Sequence, residues 1–158
     1  MSLAAILIPV AENEPPEDLE ALIAAAEEGE LPSCILEVEW HGLHWLLTGT
    51  VDGGDEPWCY LLKGGIEMTS GEMVNGTPRF LSHQQVDAWH QALQSVTETA
   101  LAQRFDPEAM AAAHVYPSSI WMSSDQEPWG MLWQAYCDVR DFLANVQQQG
   151  AGVLIYFG

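Results

Sequence analysis

A long amphipathic segment, residues 128–149, limits the folds open to this 158-residue chain. Its large apolar residues recur at intervals of three and four, which is the spacing of one face of an α-helix. Pro128 is favoured in the first turn of such a helix, and Gly150 can adopt the left-handed conformation that commonly ends a helix. A helix of this length spans about 30 Å, so the rest of the chain must supply a core to cover its apolar face. We expect that face to be buried, and its members are Trp129, Leu132, Trp133, Tyr136, Val139, Leu143 and Val146.

Two short apolar runs near the ends of the chain predict β-strands. Residues 153–157 show no polar alternation, as expected of a strand that is buried on both sides. Residues 3–10 form the second run, and Pro9 indicates that this strand ends nearby. We expect the two strands to lie in one sheet.

Capping signals predict several shorter helices between these runs. Ser82, three residues before Gln85, forms the capping-box pattern of a helix start. The next helix starts either at Ser95 or at Thr97. Asp106 followed by a proline begins another one. Several short helices are therefore expected between the two apolar runs.

Residues 40–49 (WHGLHWLLTG) predict a helix that is apolar nearly all round, which is typical of a buried helix. His41 and His44 lie one helical turn apart, close enough to share a metal ion. A third ligand at similar spacing is missing, and two histidines alone are a weak metal signal. We therefore interpret His44 as a core histidine that is hydrogen-bonded to backbone, and we expect no metal and no cofactor.

The sequence contains no recognisable catalytic motif. The three cysteines are an odd number without CxxC spacing, which favours reduced and mostly buried thiols. The Gly64-Gly65 pair lacks the remainder of a phosphate-binding loop, and the GxSxG and HExxH patterns are absent. We assign no catalytic residue, and an enzyme is the less favoured class.

The charge of the chain is its strongest compositional signal. There are 23 acidic and four basic side chains, for a formal net charge of −19. Lys63 is the first base, and 13 of the acids precede it. Such a surface repels nucleic acid and anionic lipid, and it attracts a basic protein. Solubility alone is the simpler explanation of the same composition.

The acids concentrate around a predicted helix that follows Pro15-Pro16 and stops at Gly29. Acids in its first turn are favoured by the helix dipole, whereas acids near its last turn are not. Acidic residues at the C-terminal end of a helix, where the dipole opposes them, indicate a role other than stabilising the helix. The predicted docking residues for a basic partner are Glu17, Glu20, Glu27 and Glu28.

No apolar run is long enough to span a membrane, and no basic segment precedes the first apolar run. We therefore expect a cytoplasmic protein that does not enter membranes. Its oligomeric state is left open.

Several separate motifs, in order along nearly the whole chain, resemble the YfbM-like family, a bacterial family of unknown function. They include Trp40 with residues 43–49, residues 76–81 (GTPRFL), Tyr116-Pro117 and the closing helix and strand. The resemblance implies one domain over residues 1–158 with an α+β fold, in which helices flank a mixed β-sheet. It implies no activity. It assigns signature positions to Trp40, His44, Thr48, Gly49, Arg79, Tyr116, Pro117 and Trp121.

Two functions remain in view. The first is a protein-binding or inhibitory module, such as an immunity protein that neutralises a basic toxin. The alternative is a small-molecule-binding protein or hydrolase with a cleft near His44, Arg79 and Tyr116. As one of only four bases, Arg79 is expected in an internal salt bridge if it has a structural role. A solvent-open pocket around these three residues favours the alternative, and a convex acidic face with a filled interior favours the binder.

Overall fold

The computed structural model describes residues 3–68 and 76–158. Its centre is a five-stranded sheet in which the two end strands, β1 and β5, are neighbours. They pair along six residues, from Ala5 opposite Phe157 to Val10 opposite Gly152, which confirms that the terminal runs share a sheet. The strand order is β2-β1-β5-β4-β3. The strands are β1 (Ala5–Val10), β2 (Cys34–Leu36), β3 (Ile66–Glu67), β4 (Arg79–Leu81) and β5 (Gly152–Phe157).

Six helices complete the described part of the chain. The predicted α+β fold is therefore confirmed, with the terminal strands in the sheet and a long C-terminal helix beside it. One detail differs, because every strand pair described is antiparallel and the expected mixed sheet would need a parallel pair. The helices are α1 (Leu19–Glu27), α2 (Trp40–Thr48), α3 (His83–Gln94), α4 (Glu98–Arg104), α5 (Pro107–Ala112) and α6 (Pro128–Gln148).

The sheet is covered on both faces. Leu7 and Ile155 belong to the main core, together with apolar residues of α2, α3 and α6. Their neighbours Ile8 and Leu154 point to the opposite face, into a smaller core beneath α1. Because successive residues of a strand face opposite sides, a sheet covered twice needs apolar residues at every position. This requirement explains the unbroken apolar sequence of β5.

The long helix α6 has the predicted position and a buried face that includes Leu132, Tyr136 and Val146. The expectation that Trp129 and Trp133 are buried is wrong, because their side chains are only partly covered. Trp133 lies at the flank of the helix face, where it stacks between Trp129 and Tyr136. These two aromatic neighbours shield part of the Trp133 ring from solvent, as core residues would at a fully buried position.

Side chains that cap helices set most helix starts. Ser82 and Gln85 form both hydrogen bonds of the predicted capping box. Thr97 caps α4, which decides between its two possible starts, and Asp106 caps α5 as predicted. Asp18 accepts a hydrogen bond from the Ala21 N–H at 3.0 Å and so begins α1. The described helices include none with the length and apolarity needed to cross a lipid bilayer.

Strands β2, β3 and β4 were not predicted from the sequence. Each is only two or three residues long, too short to show a periodic pattern. Segment 66–79 contains β3 and the first residue of β4, and its residues 69–75 lie outside the described part.

Candidate functional site

Trp40, at the start of α2, lies at the centre of an aromatic cluster. Its indole N–H donates a hydrogen bond to the Leu3 carbonyl at 2.7 Å. Its ring stacks with His41, at a centroid distance of 5.1 Å, and with Tyr116, at 5.4 Å. The Tyr116 hydroxyl in turn accepts a hydrogen bond from the Leu3 N–H at 2.9 Å. The cluster therefore ties the chain before β1 to α2 and to the loop that carries Tyr116.

His41 uses both of its ring nitrogens to join two loops. Nε2 lies 2.7 Å from the Val51 carbonyl oxygen, and Nδ1 lies 2.8 Å from the Tyr116 backbone nitrogen. A carbonyl can only accept and a backbone N–H can only donate, so Nε2 donates its proton and Nδ1 accepts. Since both nitrogens are engaged, His41 has no lone pair left for a metal ion.

His44, one turn later in α2, is completely buried. Neither ring nitrogen has a hydrogen-bond partner among the described residues, so the expected hydrogen bond to backbone is wrong. The Gly53 backbone lies near the ring without making a hydrogen bond of normal geometry. Burial, and then the neighbouring His41, lowers the pKa of His44 to about 4. The ring is therefore neutral at physiological pH.

Thr48 closes the C-terminal end of α2. Its hydroxyl donates to the His44 carbonyl at 2.8 Å and accepts a hydrogen bond from the Thr50 N–H at 3.2 Å. The next residue, Gly49, ends the helix with a φ of 73°, in the left-handed region that glycine adopts without strain. Both signature positions therefore shape the turn that leaves α2.

Arg79 is buried in β4 with an exposed fraction of 6%. Its guanidinium donates to the carbonyls of Gly64 at 3.1 Å, Tyr60 at 2.8 Å and Leu61 at 2.9 Å. The expected internal salt bridge is therefore replaced by three backbone carbonyls, and burial lowers the pKa of Arg79 to about 10. Arg79 anchors the turn of residues 57–64 to the sheet.

Trp121 fastens the segment before α6 to α2. Its indole N–H donates to the Val115 carbonyl at 2.7 Å. Its ring packs against Gly42, where a β-carbon would overlap it and would also lie only 2.8 Å from Leu132. The glycine thus permits α2 to approach both Trp121 and α6 closely.

The structure brings Trp40 and Tyr116 together and packs Trp121 against α2, the helix that carries Trp40, but Arg79 lies elsewhere in the fold. His44, Arg79 and Tyr116 share no hydrogen bond with one another in the described part of the chain. Their polar atoms are either bonded to backbone or completely buried. The arrangement of these signature residues holds loops in place.

The cysteines offer no reactive thiol. All three are unpaired, with Cys34 and Cys59 buried and Cys137 partly buried. Burial is the main cause that raises the pKa of each thiol, and Cys34 reaches about 12. A thiol is a weak nucleophile until it loses its proton. Within residues 3–68 and 76–158, no three His, Cys, Asp or Glu side chains are grouped to hold a metal ion.

The predicted docking acids lie on α1 or immediately beside it. Glu17, Glu20, Glu27 and Glu28 are all exposed, and so are the other acids between residues 12 and 30. The described residues form a single ion pair, between Arg140 and Asp141 at 3.3 Å. The acids of this segment, which we name the α1 surface, therefore have no basic partner within the described residues.

A groove of about 540 Å³ opens beside these acids, and sequence reasoning did not predict it. Val10, Leu22 and Leu31 contribute apolar lining, and Glu12 and Glu17 contribute carboxylates. We name it the α1 groove. Its lining comes from β1, α1 and the segment between α1 and β2, so only the folded chain assembles it. An apolar groove beside unpaired carboxylates can hold an apolar side chain and a cation next to each other.

The fold and the described residues of the site define a small acidic α+β protein. A family model described as a domain of unknown function, DUF1877, matches residues 9–156, and the chain belongs to that family. The crystal structure of a protein of unknown function, YfbM from Escherichia coli, has a similar fold with a TM-score of 0.73. The two share 16% sequence identity over 98% of this chain and 99% of that chain, which shows the fold alone. These findings confirm the resemblance to the YfbM-like family. A comparison with curated proteins finds no significant match.

Proposed function

We propose that this chain is a protein-binding module whose α1 surface docks a basic protein, in the manner of an inhibitor or a toxin-neutralising immunity protein. The observation that carries the proposal is the exposed run of acids on and beside α1, which form no ion pair in the described part of the chain and lie beside an apolar groove. The net charge of −19 supports it, because the whole field attracts a cationic partner.

The two parts of the surface contribute different terms to binding. Long-range attraction from the exposed carboxylates accelerates the encounter and orients the partner. The α1 groove supplies apolar contact, which holds the complex once it forms. Glu27 and Glu28 lie at the C-terminal end of α1, where the helix dipole opposes negative charge. A cationic partner relieves that repulsion, so these residues gain most from binding.

The alternative function, a small-molecule-binding protein or hydrolase, has less support. His44, Arg79 and Tyr116 line neither the α1 groove nor the cavity of about 560 Å³ at the C-terminal end of α2. That second cavity contains Arg104 and Asp106. Arg104 donates to the Leu46 carbonyl at 3.2 Å, and Asp106 already caps α5. Its charged groups are therefore committed to the backbone.

The proposal predicts that removing four charges from the α1 surface slows association with a basic probe. The probe is a synthetic amphipathic helical peptide with lysines on one face and leucines on the other. Its association rate constant is measured by stopped-flow fluorescence at low and at physiological salt. At low salt we expect a decrease of about tenfold, together with a weaker dependence on salt. The variant carries Glu17→Gln, Glu20→Gln, Glu27→Gln and Glu28→Gln.

A matched control removes four exposed charges elsewhere and leaves the α1 surface intact. We expect the control to bind nearly as fast as the wild-type protein. If both variants slow the probe equally, net charge alone drives the encounter and the α1 surface is not a docking site. An unchanged rate in the α1 variant contradicts the proposal as well. The control carries Asp52→Asn, Glu98→Gln, Glu108→Gln and Asp125→Asn.

A further inference from the structure

Strand β2 leaves one edge of the sheet open. It stands at the end of the strand order and pairs only with β1, from Leu7 opposite Cys34 to Ala5 opposite Leu36. In the described part of the chain, no other strand pairs with its outer edge. An open edge presents backbone donors and acceptors to any extended segment that reaches it.

A groove runs between this open edge and α6. It consists of two cavities, of about 370 and 280 Å³, which share Ile35 and Asp138 in their linings. One wall comes from residues 33–36 and the other from α6. We name it the β2–α6 groove. Along α6 it extends from Glu127 to Asp141, which is about 21 Å of helix. About six residues of an extended chain cover that distance.

The β2–α6 groove is strongly acidic. Glu39, Glu127, Asp138 and Asp141 line it, and its linings contain no basic residue. Arg140 lies beside the groove, where it pairs with Asp141. Burial raises the pKa of the Cys34 thiol, and the charges of Asp138 and Glu39 raise it further. The groove therefore carries a negative potential that favours a cation.

The two faces of β2 differ, and this difference sets the pattern of a segment that pairs with it. Cys34 and Leu36 point into the main core on the side of α6. Ile35 points to the other face, where 56% of its surface is exposed. A strand added beside β2 has the same alternation. Every second residue of that strand lies on the side of the α6 carboxylates, and the residues between them lie beside Ile35.

We propose that the β2–α6 groove binds an extended segment of a partner protein in which basic residues alternate with apolar ones, and that this segment adds to β2 as a sixth strand. Backbone hydrogen bonds to β2 hold the segment. Its lysine or arginine side chains face Asp138 and its neighbours, while its apolar side chains cover Ile35. Strand addition to an open edge is an established way for proteins to bind peptides.

The negative charge of the groove favours a basic segment of another protein over a second copy of this chain. Two copies joined through β2 would bring their acidic grooves together, each on a protein of net charge −19. Like charges across an interface oppose association. The β2–α6 groove is also separate from the α1 groove, since the two have no lining residue in common. The present proposal therefore does not depend on docking at the α1 surface.

The experiment uses the full chain and a labelled ten-residue peptide that alternates lysine with valine or threonine. Binding is measured by fluorescence anisotropy at physiological salt. We expect Ile35→Lys to weaken it at least tenfold, as should the double change Asp138→Asn and Asp141→Asn. The matched control, Glu17→Gln with Glu20→Gln, removes the same charge from the α1 surface and should bind the peptide within twofold of wild type. Melting temperatures verify that each variant is folded.

A second peptide separates strand addition from attraction alone. It has the same sequence, but N-methyl groups block the N–H groups along one edge, and in separate syntheses along the other. Strand addition predicts that one methylated pattern abolishes binding while the other retains it. Equal binding of both patterns overturns the proposal, and so does equal weakening by the groove and α1 variants. Gel filtration that shows a dimer broken by Ile35→Lys would assign the edge to a second copy and would overturn it too.

Discussion

At the scale of single residues, the polar side chains of the signature motifs are mostly occupied inside the protein. His41 bridges two backbone groups, and Arg79 binds three carbonyls. His44 is the exception, because it is completely buried and both of its ring nitrogens lack a partner among the described residues. An unpaired buried imidazole is tolerated only while it remains neutral. This condition connects one side chain to the pH dependence of the whole fold.

His44 should make the protein less stable in acid. Its pKa is about 4 in the folded protein and 6.5 in an ordinary environment, so between these values the unfolded state binds more protons. The contribution to the free energy of unfolding is complete above pH 6.5 and is lost as the pH falls toward 4. The loss amounts to about 3 kcal/mol. Urea denaturation at pH 7 and pH 4.5 should show that His44→Leu loses less stability in acid than wild type.

Carboxylates also titrate in this range, so the comparison needs a histidine control. His114 is exposed and has a φ of 59°, which asparagine tolerates. The variant His114→Asn should retain the acid dependence of the wild-type protein. If His44→Leu and His114→Asn respond to acid alike, His44 is not the origin of the effect.

At the scale of elements, the close approach of α2 to α6 depends on a residue without a side chain. Gly42 lies within a helix, where alanine is favoured over glycine by about 1 kcal/mol. A β-carbon at Gly42 would overlap the Trp121 ring, whereas a β-carbon at Gly130 in α6 would meet nothing within 4 Å. The same substitution therefore has opposite expected effects in the two helices.

Gly42→Ala should destabilise the protein by about 1–3 kcal/mol, because the overlap outweighs the gain in helix propensity. Gly130→Ala should instead raise the stability by up to about 1 kcal/mol. Urea denaturation of both variants provides the measurement. A stabilised Gly42→Ala protein would mean that Trp121 can move away from α2 at little cost.

Elements whose apolar pattern repeats over many residues could be predicted from the sequence, and elements of two or three residues could not. Helix α6 repeats its apolar spacing over five turns, and Ser82 with Gln85 forms a specific local cap. By contrast, β2 has three residues, and only its neighbours β1 and α6 make it a strand beside a groove. The hydrogen-bond partners of Arg79 could not be predicted from the sequence either. A buried guanidinium can donate to backbone carbonyls or to carboxylates, and the sequence does not show which of them lie near it in the fold. Sites built from distant segments require the folded chain.

At the scale of the whole molecule, charge repulsion acts against the compact state. The net charge is −19, and a single ion pair forms within residues 3–68 and 76–158. Folding brings like charges closer than they are in the unfolded chain. Salt screens this repulsion over distances beyond about 10 Å at an ionic strength of about 0.1 M.

Added sodium chloride should therefore raise the melting temperature by several degrees between about 0.01 and 0.5 M. The α1 variant with four glutamates replaced by glutamine should show a smaller increase, because less repulsion remains to be screened. Differential scanning calorimetry at constant pH measures both. A melting temperature that does not change with salt would show that the carboxylates are too far apart to affect stability.

The pairing of β1 with β5 also has a consequence for the order in which the protein can assemble. The longest strand pairing of the sheet joins β1, the first described strand, to β5, the last. Most of the described chain therefore lies in sequence between the two paired strands. A ribosome releases β1 long before it has made β5. Until then, β1 lacks the neighbour that separates it from β4. The helices can form as they emerge, but the sheet must wait for β5, because β5 is the last of the described strands to be synthesised and lies between β1 and β4.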